Sequence, residues 1–177
     1  MSTTVFIICG NTAAGKSTYS IELAAQQKAV RFSIDSWMQT LYSADYDPKM
    51  HSFDWLIERT ERCNTQIRQI AELLIKQGIN IILDFGFADV ESRKFYREWP
   101  ASHGANVSVH FLDIPVEERR KRLHKRNEER GETFMFEVTD EMFDYVESMF
   151  VPPSEEELIN GLRLTKGLEC CPTLKSL

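Results

Sequence analysis

Residues 10–17 have the composition and spacing of a phosphate-binding loop: Gly10 and Gly15 enclose four residues, and Lys16 and Ser17 follow directly. Glycine permits backbone angles that let successive N–H groups converge on phosphate oxygens. The loop would open into a helix N-terminus, whose unpaired N–H groups and dipole favour an anion. Lys16 would neutralise charge on the β- and γ-phosphates, and the Ser17 hydroxyl would be a ligand for Mg²⁺. The loop residues predicted to bind ATP are Gly10, Asn11, Thr12, Ala13, Ala14, Gly15, Lys16, Ser17 and Thr18.

An aspartate, Asp35, follows the second apolar run of the sequence. Ligands of open parallel sheets gather beyond the carboxyl ends of the strands. A carboxylate there would take the proton of an acceptor hydroxyl, or orient that hydroxyl, opposite the γ-phosphate. The alternative is that Asp35 caps a short helix over residues 36–40.

Two further aspartates end apolar runs. Asp84 follows Ile-Ile-Leu, which resembles a Walker B segment, and would bind Mg²⁺ or serve the acceptor; local hydrogen bonding is the alternative. The residue after it is Phe85 rather than Glu, so the base of a water-activating ATPase motor is missing at that position. Asp113 precedes Ile-Pro and is interpreted as a turn or capping residue.

Six of the eight residues 119–126 are Lys or Arg. The spacing i, i+3, i+7 places Arg119, Arg122 and Arg126 on one helical face, where they would follow the charge that develops during phosphoryl transfer. We predict that at least one of them contacts phosphate, with Arg119 in the nucleotide site and Arg122 and Arg126 as catalytic groups. The alternative is a solvated basic face paired with neighbouring glutamates. A further arginine outside this segment, Arg93, would contact the acceptor or pair with Glu91 or Asp89.

The elements that must position these residues follow from the apolar patterns. Continuous apolar runs predict buried strands, and amphipathic spacing between them predicts helices, so the chain is expected to be one α/β domain with a parallel sheet. A Pro at 100 is expected to close the third long helix. The predicted strands cover residues 4–9, 29–34, 79–83, 107–112 and, weakly, 159–165; the predicted helices cover 16–28, 56–77, 89–99 and 115–126.

Composition excludes several classes of protein. The 177 residues, 42% of them hydrophobic and 27% charged, suffice for one well-packed domain, and the net charge of −6 disfavours binding of extended duplex nucleic acid. No apolar run reaches the roughly 20 residues of a membrane helix, and the first residues lack the features of a signal peptide. The four cysteines form no C-x-x-C pair. A cytoplasmic location is therefore expected, without disulfides or a zinc site; the oligomeric state is not indicated.

The phosphate loop, Asp35, the Leu83-Asp84 segment and the basic helix after Pro115 together resemble the small P-loop kinases, a group that includes chloramphenicol phosphotransferase, zeta toxin and the kinase domain of polynucleotide kinase. The resemblance extends from residue 4 to about 157, includes residues 136–143 and 150–153, and does not cover the tail after 161. It implies a three-layer P-loop NTPase fold with strand order 2-3-1-4-5, an ATP and Mg²⁺ site, and a lid over about residues 117–135. It also implies that Asp35 acts on the acceptor hydroxyl and that Arg122 and Arg126 are lid arginines.

The leading hypothesis is an ATP-dependent kinase that phosphorylates a hydroxyl group of an acceptor the sequence does not identify. The alternatives are an ATP-hydrolysing protein and a nucleotide-switched binding protein. The sequence lacks the N-K-x-D motif that reads guanine and the Asp-Glu pair expected of an ATP-driven remodelling protein. Both absences favour the kinase.

Overall fold

A computed structural model of the chain describes residues 3–47, 49–130 and 137–165. The strands are β1 (Thr4–Cys9), β2 (Val30–Ser33), β3 (Ile81–Gly86), β4 (Asn106–Leu112) and β5 (Leu162–Leu164). The helices are α1 (Lys16–Gln27), α2 (Ile34–Tyr42), α3 (Phe53–Lys76), α4 (Val90–Ser102), α5 (Val116–Glu129) and α6 (Asp140–Met149). The predicted lid therefore includes α5, whereas its residues 131–135, like the tail after 165, lie outside the described part of the chain.

All five strands pair in parallel in the order β2-β3-β1-β4-β5, which confirms the expected topology. The central strand β1 is apolar on both sides because each of its faces is covered by a hydrophobic cluster. The larger cluster includes Ile67 and Ala71 of α3 and Tyr96 of α4, and the smaller one includes Tyr19 and Leu23 of α1. The result is the expected three-layer arrangement, in which the carboxyl ends of β1, β2 and β3 meet at one edge.

Two residues that were predicted to mark the end of an element lie inside it. Asp84 lies inside β3 rather than after it, because the strand continues to Gly86, which is aligned with Cys9 of β1. Pro100 lies inside α4 and does not close it, since the helix continues to Ser102. Pro100 is buried on the same face of α4 as Arg93 and Tyr96, so packing against the protein interior holds the last turn despite the missing N–H.

The fifth strand is present but shorter than predicted, and it needs the glycine that precedes it. A Cβ atom on Gly161 would lie 2.0 Å from the carbonyl oxygen of Val109 in β4. No other residue allows the two backbones to approach this closely. Gly161, which interrupts the apolar pattern of the predicted strand 159–165, is thus the residue that lets β5 join the sheet.

Helix α1, which begins at Lys16, is fixed to the sheet by a buried polar pair. The Tyr19 hydroxyl lies 2.6 Å from Nδ1 of His110 in β4, and His110 Nε2 lies 3.0 Å from the Ser108 hydroxyl. Burial lowers the pKa of His110 from 6.5 to about 4, so the imidazole is neutral at physiological pH. A structural role agrees with the absence of metal-ligand spacing around this histidine in the sequence.

Candidate active site

The phosphate-binding loop lies between β1 and α1, where the sequence pattern predicts it. Gly10 passes so close to β4 that a Cβ atom there would be 3.1 Å from the Leu112 carbonyl oxygen. Gly15 is the N-cap of α1 with φ of 94°, in the left-handed region that glycine tolerates. Within the described residues, which include the whole phosphate loop, no side chain caps the first N–H groups of α1. These N–H groups and the helix dipole therefore remain available to an anion.

Lys16 is held against the loop. Its ammonium donates a hydrogen bond of 3.0 Å to the Asn11 carbonyl oxygen. Burial lowers the pKa of Lys16, and the nearby carboxylates of Asp84 and Asp35 oppose that shift. These interactions place the lysine and both predicted acidic residues within one electrostatic neighbourhood.

Asp35 lies in the first turn of α2, beside the end of β2. The N-cap of this helix is Ser33, whose hydroxyl accepts a hydrogen bond of 3.4 Å from the Ser36 N–H, so the alternative capping role for Asp35 is wrong. Asp35 is exposed on one side, yet the protein packed on its other sides raises the pKa of its carboxyl group. Lys16 counteracts this shift more than any other charged neighbour does. A carboxylate with a raised pKa is a stronger proton acceptor.

Asp84 is buried, and an arginine that sequence reasoning missed holds it in place. Arg31 in β2 lies 2.5 Å from Oδ2 of Asp84, and the Ser20 hydroxyl lies 2.9 Å from the same oxygen. The register aligns Ser33 with Asp84, so Arg31 lies two residues back on the same face of the sheet. The sequence did contain a signal for this pair, a single arginine within an apolar strand, because a buried guanidinium requires an acidic partner.

The three predicted arginines of α5 differ in their contacts, and Arg119 and Arg122 bind the phosphate loop. Arg119 is buried, and it donates to the carbonyl oxygens of Ile114 at 2.8 Å and Thr12 at 3.3 Å. Arg122 pairs with Glu118 at 3.0 Å and donates to the Ala14 carbonyl oxygen at 3.4 Å. The first two turns of α5 are therefore bound to the phosphate loop itself.

Arg126, one turn further along α5, is the exception. Its Nε and Nη2 atoms are buried and have no hydrogen-bond partner among the described residues. Burial lowers the pKa of this arginine, and the Asp35 carboxylate opposes the shift. A guanidinium whose Nε and Nη2 are buried and unsatisfied among the described residues, near the Asp35 carboxylate, suits an anionic ligand.

Glu147 of α6 is a second residue that sequence reasoning missed. Its carboxylate lies 2.7 Å from the Asn11 side-chain amide and 2.7 Å from the Arg119 guanidinium. The sequence offers no signal for this contact, because it depends on how α6 packs against α5 through Phe143 and Leu123. Through Glu147, α6 fixes the side chain at the start of the phosphate loop.

The Arg93 side chain does not pair with Glu91 or Asp89, the two protein partners considered from the sequence. It is fully buried and pairs with Glu157 at 2.7 Å, while the Asp89 side chain caps α4. Its five N–H groups are all used, by Glu157 and by the carbonyl oxygens of Phe87, Val151 and Pro152. Arg93 therefore fixes the connection after β3, where Phe87 has the unusual φ of 50°.

The residues at this edge fit a magnesium nucleotide. Ser17 and Asp84 offer the hard oxygen ligands that Mg²⁺ prefers. No group of three or more His, Cys, Asp or Glu residues within 3–47, 49–130 and 137–165 would hold a metal ion by itself. This agrees with the usual behaviour of Mg²⁺, which binds through one or two protein oxygens together with substrate phosphates.

No helix in the described segments has the length and apolar character needed to cross a membrane. A family model described as an AAA domain matches residues 5–153. None of the curated protein sequences matches this chain.

Several solved structures share the fold. A proposed kinase from Chloroflexus aurantiacus J-10-fl is 13% identical over 99% of this chain and 94% of its own, with a TM-score of 0.73. The APS kinase CysC of Mycobacterium tuberculosis, in complex with AMPPNP and APS, is 18% identical over 92% and 88%, with a TM-score of 0.60. Kti12 of Chaetomium thermophilum, in complex with ADP-AlF3, is 16% identical over 92% and 89%, also with a TM-score of 0.60. At these identities the likeness establishes the P-loop NTPase-like α/β fold.

Proposed function

Because the chain belongs to the AAA domain family, we propose that it is an ATP-dependent phosphotransferase that moves the γ-phosphoryl group of ATP to a hydroxyl group of an acceptor. The observation that carries the proposal is that Lys16 and Arg126 both act on Asp35 beside the phosphate loop, and that Nε and Nη2 of Arg126 have no hydrogen-bond partner among the described residues. The kinases among the structures of similar fold support it.

The nucleotide would bind with its triphosphate along the loop N–H groups. The Lys16 ammonium, which has two N–H groups beyond the one given to Asn11, would contact the β- and γ-phosphates. Mg²⁺, held by Ser17 and Asp84 together with the phosphates, would neutralise part of their charge.

Asp35 would act on the acceptor. The acceptor oxygen attacks the γ-phosphorus, its proton passes to the Asp35 carboxylate, and the bond from the γ-phosphorus to the bridging oxygen breaks, releasing ADP. Arg126 would donate its free N–H groups to the oxygens of the transferred group, where negative charge is spread in the transition state. Arg119 and Arg122 would support the loop that holds the nucleotide, with Arg122 near enough to Gly15 to contact a phosphate.

The test measures ADP release from ATP with and without a panel of hydroxyl acceptors. We expect slow release from ATP alone, a large increase with the correct acceptor, and no turnover by Lys16→Ala. Asp35→Asn removes the proton acceptor and should lower the transfer rate by about a hundredfold or more, with ATP affinity nearly unchanged. Asp45→Asn, which changes an exposed aspartate beyond the end of α2, is the matched control and should retain full activity.

Two results would contradict the proposal. If Asp35→Asn transfers phosphate at the wild-type rate, Asp35 is not the base. If ADP release is fast and the same with every acceptor and with none, the protein hydrolyses ATP, and the alternative considered from the sequence is correct.

A further inference from the structure

Building on the proposed kinase activity, we propose that the acceptor is an alcohol without an anionic group, bound through apolar or aromatic surface, and not a phosphorylated or sulfated compound. The inference comes from the elements that surround Asp35 on the side away from the phosphate loop. Neither α2 nor residues 85–92 contain a Lys or Arg, and the next basic residue, Arg93, has all of its N–H groups bonded within the protein.

The first of these elements is α2, which carries Asp35. The sequence contains no Lys or Arg from residue 32 to residue 48, and the charged residues of that stretch are Asp35, Asp45 and Asp47. Gln39 lies one turn after Asp35 on the same face of the helix and is exposed. Met38 and Tyr42, also on this face, are half-buried against the larger hydrophobic cluster. This face of α2 is therefore acidic at its start, and beyond Asp35 it carries one exposed amide and two half-buried apolar side chains but no cation.

The second element is the connection after β3, the strand adjacent to β2. Residues 85–92 contain no Lys or Arg, and they begin with Phe85, which is half-buried and stacks with Phe87 at 5.6 Å between ring centroids. The next basic residue is Arg93, and all five of its N–H groups are already bonded within the protein. This wall is apolar and aromatic.

The remaining cations near Asp35 each have a partner or an assigned task. Arg31 is paired with Asp84 at 2.5 Å. Lys16 would serve the nucleotide, and Arg126 would serve the transferred phosphoryl group. On α5, Lys125 is exposed and lies 3.8 Å from Glu129.

A phosphate or sulfate on the acceptor would bring a further negative charge close to Asp35, Asp84 and the triphosphate. Proteins that bind such groups provide bidentate arginines or free backbone N–H groups for them. Without such groups the anion would lose its hydration and would be repelled by these negative charges, so this site discriminates against anionic acceptors. A neutral or cationic alcohol meets no such penalty and gains from burial of its apolar surface.

The test uses three esters of the ATP γ-phosphate, made with methanol, with 2-phenylethanol and with 2-(4-phosphonophenyl)ethanol, whose binding to the full chain with Mg²⁺ is measured by calorimetry. The methyl ester reports the nucleotide site alone, and the other two extend towards Asp35 with and without an anionic group. We expect the phenylethyl ester to bind about fivefold or more tightly than the methyl ester, through burial of the ring. The phosphonate ester should bind no more tightly than the methyl ester.

Two outcomes overturn the inference: tighter binding of the phosphonate ester than of the phenylethyl ester, or no gain of the phenylethyl ester over the methyl ester. Failure of the methyl ester and of ATP itself to bind would instead refute the proposed function.

A pair of variants tests the location. Gln39→Lys adds a cation to the exposed face of α2 beside Asp35 and should tighten binding of the phosphonate ester about threefold or more, leaving the methyl ester unchanged. Gln26→Lys adds the same charge at the far end of α1 and should change neither. If Gln39→Lys has no effect on the phosphonate ester, this face of α2 does not border the acceptor, and the inference fails.

Discussion

Protonation of His110 should destabilise the protein as the pH falls from 6.5 to 4. The imidazole lies between Tyr19 of α1 and Ser108 of β4, and burial lowers its pKa from 6.5 to about 4. Above pH 6.5 the imidazole is neutral in both the folded and the unfolded chain, so the free energy of unfolding does not depend on it. Below pH 6.5 the unfolded chain binds a proton that the folded chain does not, and stability falls as the pH falls.

The size of the loss follows from the two pKa values. Each pH unit between them corresponds to about 1.4 kcal/mol, so the free energy of unfolding should fall by about 3 kcal/mol from pH 7 to pH 4 through this group. The pKa values of Asp89 and Glu157 lie below their ordinary range, so these carboxylates also stabilise the protein less as the pH falls. Their contribution to the free energy of unfolding is lost only below about pH 4.5. Asp35, whose pKa is raised, contributes with the opposite sign, so the comparison with a variant that lacks the imidazole is what isolates the histidine.

The assay is urea unfolding followed by tryptophan fluorescence at half-unit steps from pH 5 to 8, for the wild type and for His110→Asn. The asparagine is uncharged at every pH and offers Tyr19 an amide in place of Nδ1, so its unfolding free energy should change little from pH 7 to 5 even if its overall stability is lower. The reasoning is refuted if the wild type is equally stable at pH 7 and pH 5, or if His110→Asn shows the same slope as the wild type. The consequence for activity is that α1, which begins with Lys16 and Ser17, would loosen from the sheet in acid.

Two further substitutions test the packing that surrounds the site. Gly161→Ala would place a methyl group 2.0 Å from the Val109 carbonyl oxygen, so β5 should detach, seen as faster hydrogen exchange of the β5 amides; protection equal to the wild type would show that the backbones can separate without cost. Arg93→Met should lower the free energy of unfolding in urea by about 3 kcal/mol or more, because it leaves the buried Glu157 and three carbonyl oxygens without their partner. Lys94→Met, an exposed neighbour on α4, is its control and should be close to neutral, and equal stability of the two variants would contradict the role given to Arg93.

The sequence was sufficient for the parts of the molecule that depend on local pattern. The continuous apolar run of β1 can only be a strand covered on both faces, and the glycines before Lys16 have few uses other than a phosphate loop. The spacing of Arg119, Arg122 and Arg126 correctly predicted that they share a face of one helix, since helical periodicity is a local property. The parallel sheet followed from the alternation of strands and helices.

The partners of the buried charges could not be predicted, because they depend on contacts between residues far apart in the chain. Arg31 and Asp84 meet only once β2 and β3 are aligned. Arg93 was expected to contact the acceptor or to pair with Glu91 or Asp89, but in the structure it pairs with Glu157, at a sequence separation of 64 residues. Pro100 was expected to end α4, and the packing of one helical face outweighed the local preference.

The attachment of α5 to the phosphate loop determines which parts of the domain can move when substrates bind. Arg119 and Arg122 reach the backbone of the loop, and Glu147 joins α6 to the same residues. These hydrogen bonds connect the loop, α6 and the first half of α5, so a closing motion over the substrates would bend α5 beyond Arg122. Accommodation of acceptors of different shape would fall to α2 and the turn that follows it.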